Sequence, residues 1–142
     1  MKAARKPTKL EKQLAWLREM ERLPGIFLPL RVSNPLNSRR HWRTVWSASR
    51  KARDATRAAV AVQVRRAGLT LPVTVRMTRY GPRSLDEGCG LNASLKPVRD
   101  GVADAFGVDD ADKRYTWIYR QERAPFYGVR VEIETVRKQL EE

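Results

Sequence analysis

The chain has 142 residues, 42% of them hydrophobic, which suits one packed domain rather than a disordered tail. Lys and Arg total 29 against 16 Asp and Glu, a formal net charge of +13, so the expected partner is a polyanion, with nucleic acid favoured over a membrane surface. No apolar run nears the ~20 residues of a membrane span, and no signal-peptide core follows the basic start. Cys89 and His41, one of each type, exclude an internal disulfide and a four-ligand structural zinc site, so a reducing, cytoplasmic compartment is expected.

Residues 1–25 read as a basic extension carrying a helix. Thr8 and Glu11 form a T-x-x-E capping box, Leu10, Leu14, Leu17 and Met20 recur at helical spacing, and Pro24-Gly25 ends the run. The helix is expected to pack on the domain, with assembly as the other use of its apolar stripe. Residues 26–134 read as the main domain and 135–142 as a polar tail with a helical turn.

Ile26 to Arg31 reads as a strand, Pro29 placing it at a sheet edge. The loop VSNPLNSRRHWRTVW follows, with Asn37, Arg39, Arg40, His41 and Arg43 interleaved with Trp42 and Trp46. Arginines bind phosphates and aromatic faces stack on unpaired bases. Trp46, beside a helix start, is expected to anchor the loop in the core. Ser47 caps a helix to about Ala67, with a narrow stripe of Ala48, Ala52, Ala55, Ala59 and Val62, and cations that include Arg50 on its other faces.

Pro72 to Tyr80 alternates as a half-buried strand, with Val73, Val75 and Met77 to one side. A loop carrying Arg83, Asp86 and Glu87 comes next. Leu91, Leu95, Val98, Val102 and Phe106 then fit one helical face, with Ser94 as N-cap, Pro97 in the first turn, and Lys96 and Asp100 four apart on another face. Gly107 ends this helix, and Asp109-Asp110 lies just beyond. Tyr115 to Gln121 and Tyr127 to Glu134 alternate as two more strands, and the short connection between them predicts an antiparallel pair. The expected fold is α/β of an α+β-like kind: a single domain with a small mixed sheet of about four strands, helices packed on it, and an extra N-terminal helix.

Two carboxylate clusters in so basic a chain suggest a cation between them. Magnesium takes oxygen ligands and can drive phosphodiester cleavage, with Lys96 neutralising the charge that develops; a solvated turn is the plainer meaning of Asp109-Asp110.

The ordered motifs SNPLNSRRHW, LDEGCGL, Lys96 within LKPVRDGVADAFGV, and Asp109-Asp110 resemble the RusA-type Holliday junction resolvases, especially their phage relatives, over about residues 26–134. The resemblance implies a homodimeric endonuclease of DNA recombination and repair that nicks four-way junctions and other branched DNA with Mg2+, or Mn2+. It implies catalytic roles for Glu87, Lys96 and Asp110, metal ligation by Asp86, Glu87, Asp109 and Asp110, and DNA contacts from Asn37, Arg39, Arg40, His41, Arg43, Arg50 and Arg83. Cys89 and Gly90 depart from the family pattern, which has an aspartate and an asparagine there. A junction-binding protein with weak or lost activity is the alternative, and a basic assembly protein working through the N-terminal helix is a third reading.

Overall fold

A computed structural model describes residues 5–34, 42–87 and 89–136. Helix α1 (Lys9–Arg22) leads into strand β1 (Ile26–Leu28), helix α2 (Trp42–Ala67), strand β2 (Val73–Gly81), helix α3 (Cys89–Phe106), and strands β3 (Tyr115–Arg123) and β4 (Gly128–Thr135). The strands form one mixed sheet in the order β1-β4-β2-β3, the α+β architecture that the patterning predicts. β2 and β3 are parallel, with Val73 opposite Tyr115 and Gly81 opposite Arg123. Such a pair needs a crossover, and α3 supplies it.

The expected direct pairing of the last two strands does not occur. β4 lies antiparallel between β1 and β2, and β3 lies on the far side of β2. β2 is the most buried strand and takes a neighbour on each side. The connection 124–127 passes over its end, where the Ala124 N–H donates to the Gly81 carbonyl at 2.9 Å.

One sheet face carries Val73, Val75, Met77, Val129 and Val131, all fully buried, as their alternation predicts. Val60 of α2 and Leu95, Val98 and Val102 of α3 pack against them. Burying each such side chain contributes about 1.5–3 kcal/mol, which fixes both helices to this face. The helices also meet closely. A methyl group on Gly101 would lie 2.6 Å from the Arg53 carbonyl oxygen and 2.7 Å from Thr56 Cβ, so the crossing requires glycine.

Two helix starts differ from expectation. α2 begins at Trp42 rather than after Ser47, and Trp46 is 60% exposed rather than anchored in the core. The buried side of α2 is Ala52, Thr56 and Val60, and Trp46 falls about a third of a turn away from it. α3 begins at Cys89, so Ser94 is interior instead of a cap, its Oγ donating to the Leu91 carbonyl at 2.7 Å. Pro97 therefore lies inside the helix, where it removes a backbone donor. Gly107, at φ +70°, ends α3 as expected.

α1 packs on the opposite face. Trp16 is buried against Phe27, Phe126 and Tyr80, with ring centroids 5.5, 5.7 and 5.9 Å apart. Buried Arg130 donates to the Met20, Pro24 and Leu23 carbonyls at 2.7, 3.2 and 3.3 Å, satisfying acceptors at the end of α1. No described helix is long and apolar enough to cross a membrane.

Candidate functional site

The apolar spacing of α3 sends Leu91, Leu95, Val98 and Val102 into the core and leaves Ala93, Lys96, Pro97, Asp100 and Asp104 on its other side. α2 faces that side with Trp46, Ser49, Arg50, Arg53, Asp54 and Arg57. Val108, Asp109 and Asp110 follow α3 and close one end. Together they line an open groove of about 1160 Å3. Its charge runs against the rest of the protein: five aspartates (54, 100, 104, 109 and 110) outnumber its four cations (Arg50, Arg53, Arg57 and Lys96), whereas the whole chain is +13.

Lys96 is the hub. Its Nζ donates to Asp100 Oδ1 and to Asp110 Oδ2, each at 2.8 Å. Partial burial works against the Lys96 charge, but the hydrogen bonds to the two carboxylates outweigh it and raise its pKa above the ordinary lysine value. The Lys96 hydrogen bond in turn holds the Asp110 carboxyl below the usual carboxylate range, with Arg99 adding to the effect. Arg99 Nε lies 2.8 Å from Asp110 Oδ2, a close ion pair whose N–H is not aligned for a hydrogen bond.

The backbone of Asp110 is held as firmly. Its carbonyl accepts from Trp117 Nε1 at 3.0 Å and from Arg99 Nη2 at 3.1 Å. Arg99 is fixed over the Trp117 ring, 4.8 Å from its centroid, and donates to the Tyr119 hydroxyl at 2.7 Å. On the α2 side, Arg53 makes a two-pronged bond to Asp104 at 2.6 and 2.9 Å and stands 3.9 Å from Asp100. That bond keeps the Asp104 carboxyl below its usual range and raises the Arg53 value. An alternating row of charges, Asp110–Lys96–Asp100–Arg53–Asp104, therefore runs along the groove.

Of the residues expected at the site, Lys96 and Asp110 are joined, and Asp109 lines the same groove with its Oδ1 accepting from the Ala111 N–H at 2.8 Å. Asp86 and Glu87 are exposed in the loop before α3, where the Asp86 carbonyl accepts from the Leu91 N–H at 2.9 Å. From Cys89 to Lys96 the helix rises about 10 Å, and no hydrogen bond or ion pair among the described residues links Asp86 or Glu87 to Asp109, Asp110 or Lys96.

Cys89 and Gly90 open α3, and the space a methyl group would fill on Gly90 is bounded by Asp86 Cβ at 3.5 Å and Asn34 Nδ2 at 3.7 Å. Arg43 and Arg50 lie on α2 with their guanidinium groups 5.3 Å from the centroids of the Trp42 and Trp46 rings. Arg83 is exposed in the loop after β2. Asn37, Arg39, Arg40 and His41 fall outside the described residues, as does the tail from residue 137.

Sequence reasoning missed Arg99, Asp104 and Trp117, and it placed Arg53 on the cationic side of α2 without its pairing to Asp104. Arg99 and Asp104 stood inside the quoted LKPVRDGVADAFGV run, and Asp100 was visible four residues from Lys96; Trp117 and the Arg53 pairing gave no local signal.

Magnesium takes oxygen ligands, commonly one or two carboxylates with waters and phosphate. Asp100 and Asp110, whose oxygens already converge on one cationic nitrogen, meet that smaller requirement. No group of three His, Cys, Asp or Glu placed to hold a metal forms among the described residues.

Over 82 residues the chain is 40% identical to an uncharacterized protein of Xylella fastidiosa (strain Temecula1 / ATCC 700964), a match covering 52% of this chain and 51% of that protein. The chain thus matches only about half of that relative's length. No protein-family model and no solved structure matches it.

Proposed function

We propose that the protein is a magnesium-dependent endonuclease of branched DNA, of the RusA type, with Lys96, Asp100 and Asp110 at its centre. The observation that carries this reading is the reversal of charge: a protein of net charge +13 gathers five aspartates in one groove and aims two of them at a single lysine.

Asp100 and Asp110 would hold the metal, which supplies an activated water and a charge opposite the scissile phosphate. Lys96 then neutralises negative charge developing on the phosphate oxygens. Trp117 and Arg99 hold the Asp110 backbone still, so little reorganisation accompanies the reaction. Positive charge elsewhere on the protein attracts the duplex arms and makes binding salt-sensitive. A homodimer would present two grooves, the arrangement that paired nicks across a four-way junction require. The role that follows is in DNA recombination and repair.

A second reading has its own observation. Asp110 is already neutralised by Lys96 and Arg99, and Asp86 and Glu87 stand apart from it. This arrangement favours a protein that binds branched DNA without cutting it.

The deciding experiment incubates purified protein with a synthetic four-way junction, a flap and a fork in Mg2+, Mn2+ or chelator. Metal-dependent nicking that disappears in Asp110→Asn supports the nuclease. Tight junction binding with no nicking in either metal, and nicking gained in Cys89→Asp, supports the second reading.

A further inference from the structure

Away from the groove, the carboxyl end of β2 gathers arginines that no acid among the described residues answers. Arg79 lies on the core face of β2 and is only 4% exposed. Its Nη1 donates to the Arg83 carbonyl at 2.9 Å, and its Nε is buried with no hydrogen-bond partner. A methyl group on Gly81 would meet the Arg79 guanidinium at 3.0 Å and the Tyr127 ring at 3.2 Å, so these two groups crowd the same spot. Arg31 is exposed and lies over that Tyr127 ring, 4.5 Å from its centroid. Arg123, also exposed, points its Nε at the Pro82 carbonyl, 3.4 Å away. None of Arg31, Arg79, Arg83 and Arg123 forms an ion pair among the described residues. Asp86 and Glu87, further along the loop, make no ion pair with them either.

A buried guanidinium needs its charge and its N–H groups answered, because the desolvation is otherwise uncompensated; three backbone carbonyls do this for Arg130, whereas the Arg79 Nε has no partner. Burial pulls the Arg79 pKa down; Tyr127 opposes that shift and the cation Arg31 adds to it. No carboxylate among the described residues supplies that counter-charge, which leaves the cluster suited to an anionic ligand. Guanidinium forks match phosphate oxygens in shape as well as charge. The place is also one where ligands collect in α/β folds, outside the carboxyl ends of parallel strands.

We infer that Arg31, Arg83 and Arg123 form a phosphate-binding site at the carboxyl end of β2, with Arg79 behind them supplying charge from the protein interior. The bound group is a phosphodiester of the DNA backbone, which makes this a second anchoring point, at the amino end of α3, for the substrate handled in the Lys96 groove. This assignment rests on the DNA-binding part of the proposed function, and its test separates the two.

Binding of a four-way junction is measured against salt concentration for wild type, Arg31→Gln, Arg123→Gln and the double variant. Thermal unfolding in inorganic phosphate is compared with chloride at equal ionic strength. Each substitution is expected to lower the slope of log K against log salt by about 1, and the double variant by about 2, with unfolding temperatures in chloride unchanged. Inorganic phosphate should stabilise wild type more than the double variant.

Unchanged slopes in variants of a protein that binds junctions would overturn the site and leave the nuclease reading standing. Phosphate-specific stabilisation, lost in the double variant, of a protein that binds no junction would keep an anion site for free phosphate and remove the DNA assignment. No response to either probe would remove both.

Discussion

Gln121 grips the backbone of Leu85 at both ends of one peptide residue: its Nε2 donates to the Leu85 carbonyl at 2.7 Å and its Oε1 accepts from the Leu85 N–H at 2.9 Å. Gln121 stands opposite Arg79 in the β2–β3 register, and Arg79 holds the same loop through the Arg83 carbonyl. The loop that carries Asp86 and Glu87 is thus tied to both parallel strands.

Gln121→Ala should free the loop while the core stays intact. Losing two hydrogen bonds predicts a stability cost of about 1–2 kcal/mol by urea unfolding. Amide exchange should quicken sharply in a peptide spanning residues 82–88 and stay unchanged in β2. Equal protection of that loop in variant and wild type would remove Gln121 from this role.

Gly101→Ala should be costly and Gly68→Ala should not depend on packing at all. The first inserts a methyl group into the α2–α3 crossing, against backbone atoms that cannot turn aside, and should cost about 1–3 kcal/mol. Gly68, at φ +62°, has nothing within 4 Å of its added methyl group, so its cost is conformational, about 1 kcal/mol. Denaturant titrations should rank them in that order, and the reverse order would contradict the close crossing.

Arg130→Leu should detach α1. The substitution leaves the carbonyls of Met20, Leu23 and Pro24 without their donor and removes the cation from beside Phe27 and Tyr80. Leaving these buried acceptors unsatisfied predicts a loss of about 1–3 kcal/mol. Limited proteolysis should then cut within residues 9–25 before it cuts elsewhere. A variant with an unaltered cleavage pattern would show that Trp16 alone holds the helix.

Stability should fall at both extremes of pH, for opposite reasons. Asp104 and Asp110 have folded values below the ordinary 3.8, so the unfolded chain takes up their protons first. Their contribution is complete above 3.8 and is lost as pH drops through the lower folded values. Lys96 has a raised value, so its contribution is complete below 10.5 and is lost as pH climbs through the folded value. Urea midpoints should be level between about pH 5 and 9, and the double variant Asp104→Asn/Asp110→Asn should flatten the acid limb. An acid limb as steep in that variant as in wild type would place the responsible groups elsewhere.

The elements were legible in the sequence because each carries a local period: the strands alternate, α3 shows its apolar face, and Gly107 marks the end of α3. Their neighbours were not. Alternation in Tyr115–Gln121 and Tyr127–Glu134 states which face is buried and is silent about which strand lies alongside, so the short connection suggested a pair where β2 in fact intervenes.

The site divided in the same way. Lys96 and Asp100 are four apart on one helix and could be read directly, and Asp110 followed from its motif. Arg53 could not be read, because its meeting with Asp104 depends on the α2–α3 crossing. Ser47 and Ser94 misled for a plainer reason: serine is as good a residue inside a helix start as at its cap when its hydroxyl can bond back, as Ser94 does to Leu91.

The position of β4 also bears on how the molecule is made. The latest in sequence of the described strands is the one that slots between the first two, pairing Val131 with Ile26 on one side and with Met77 on the other. Until then β1 has no partner and β2 is open along the edge that β4 will cover. Open strand edges of this kind can pair with other chains until they are covered. Without Gly128–Thr135, β1 has no strand beside it and only the parallel β2–β3 pair is left of the sheet, so the central position of β4 joins the two parts of the fold.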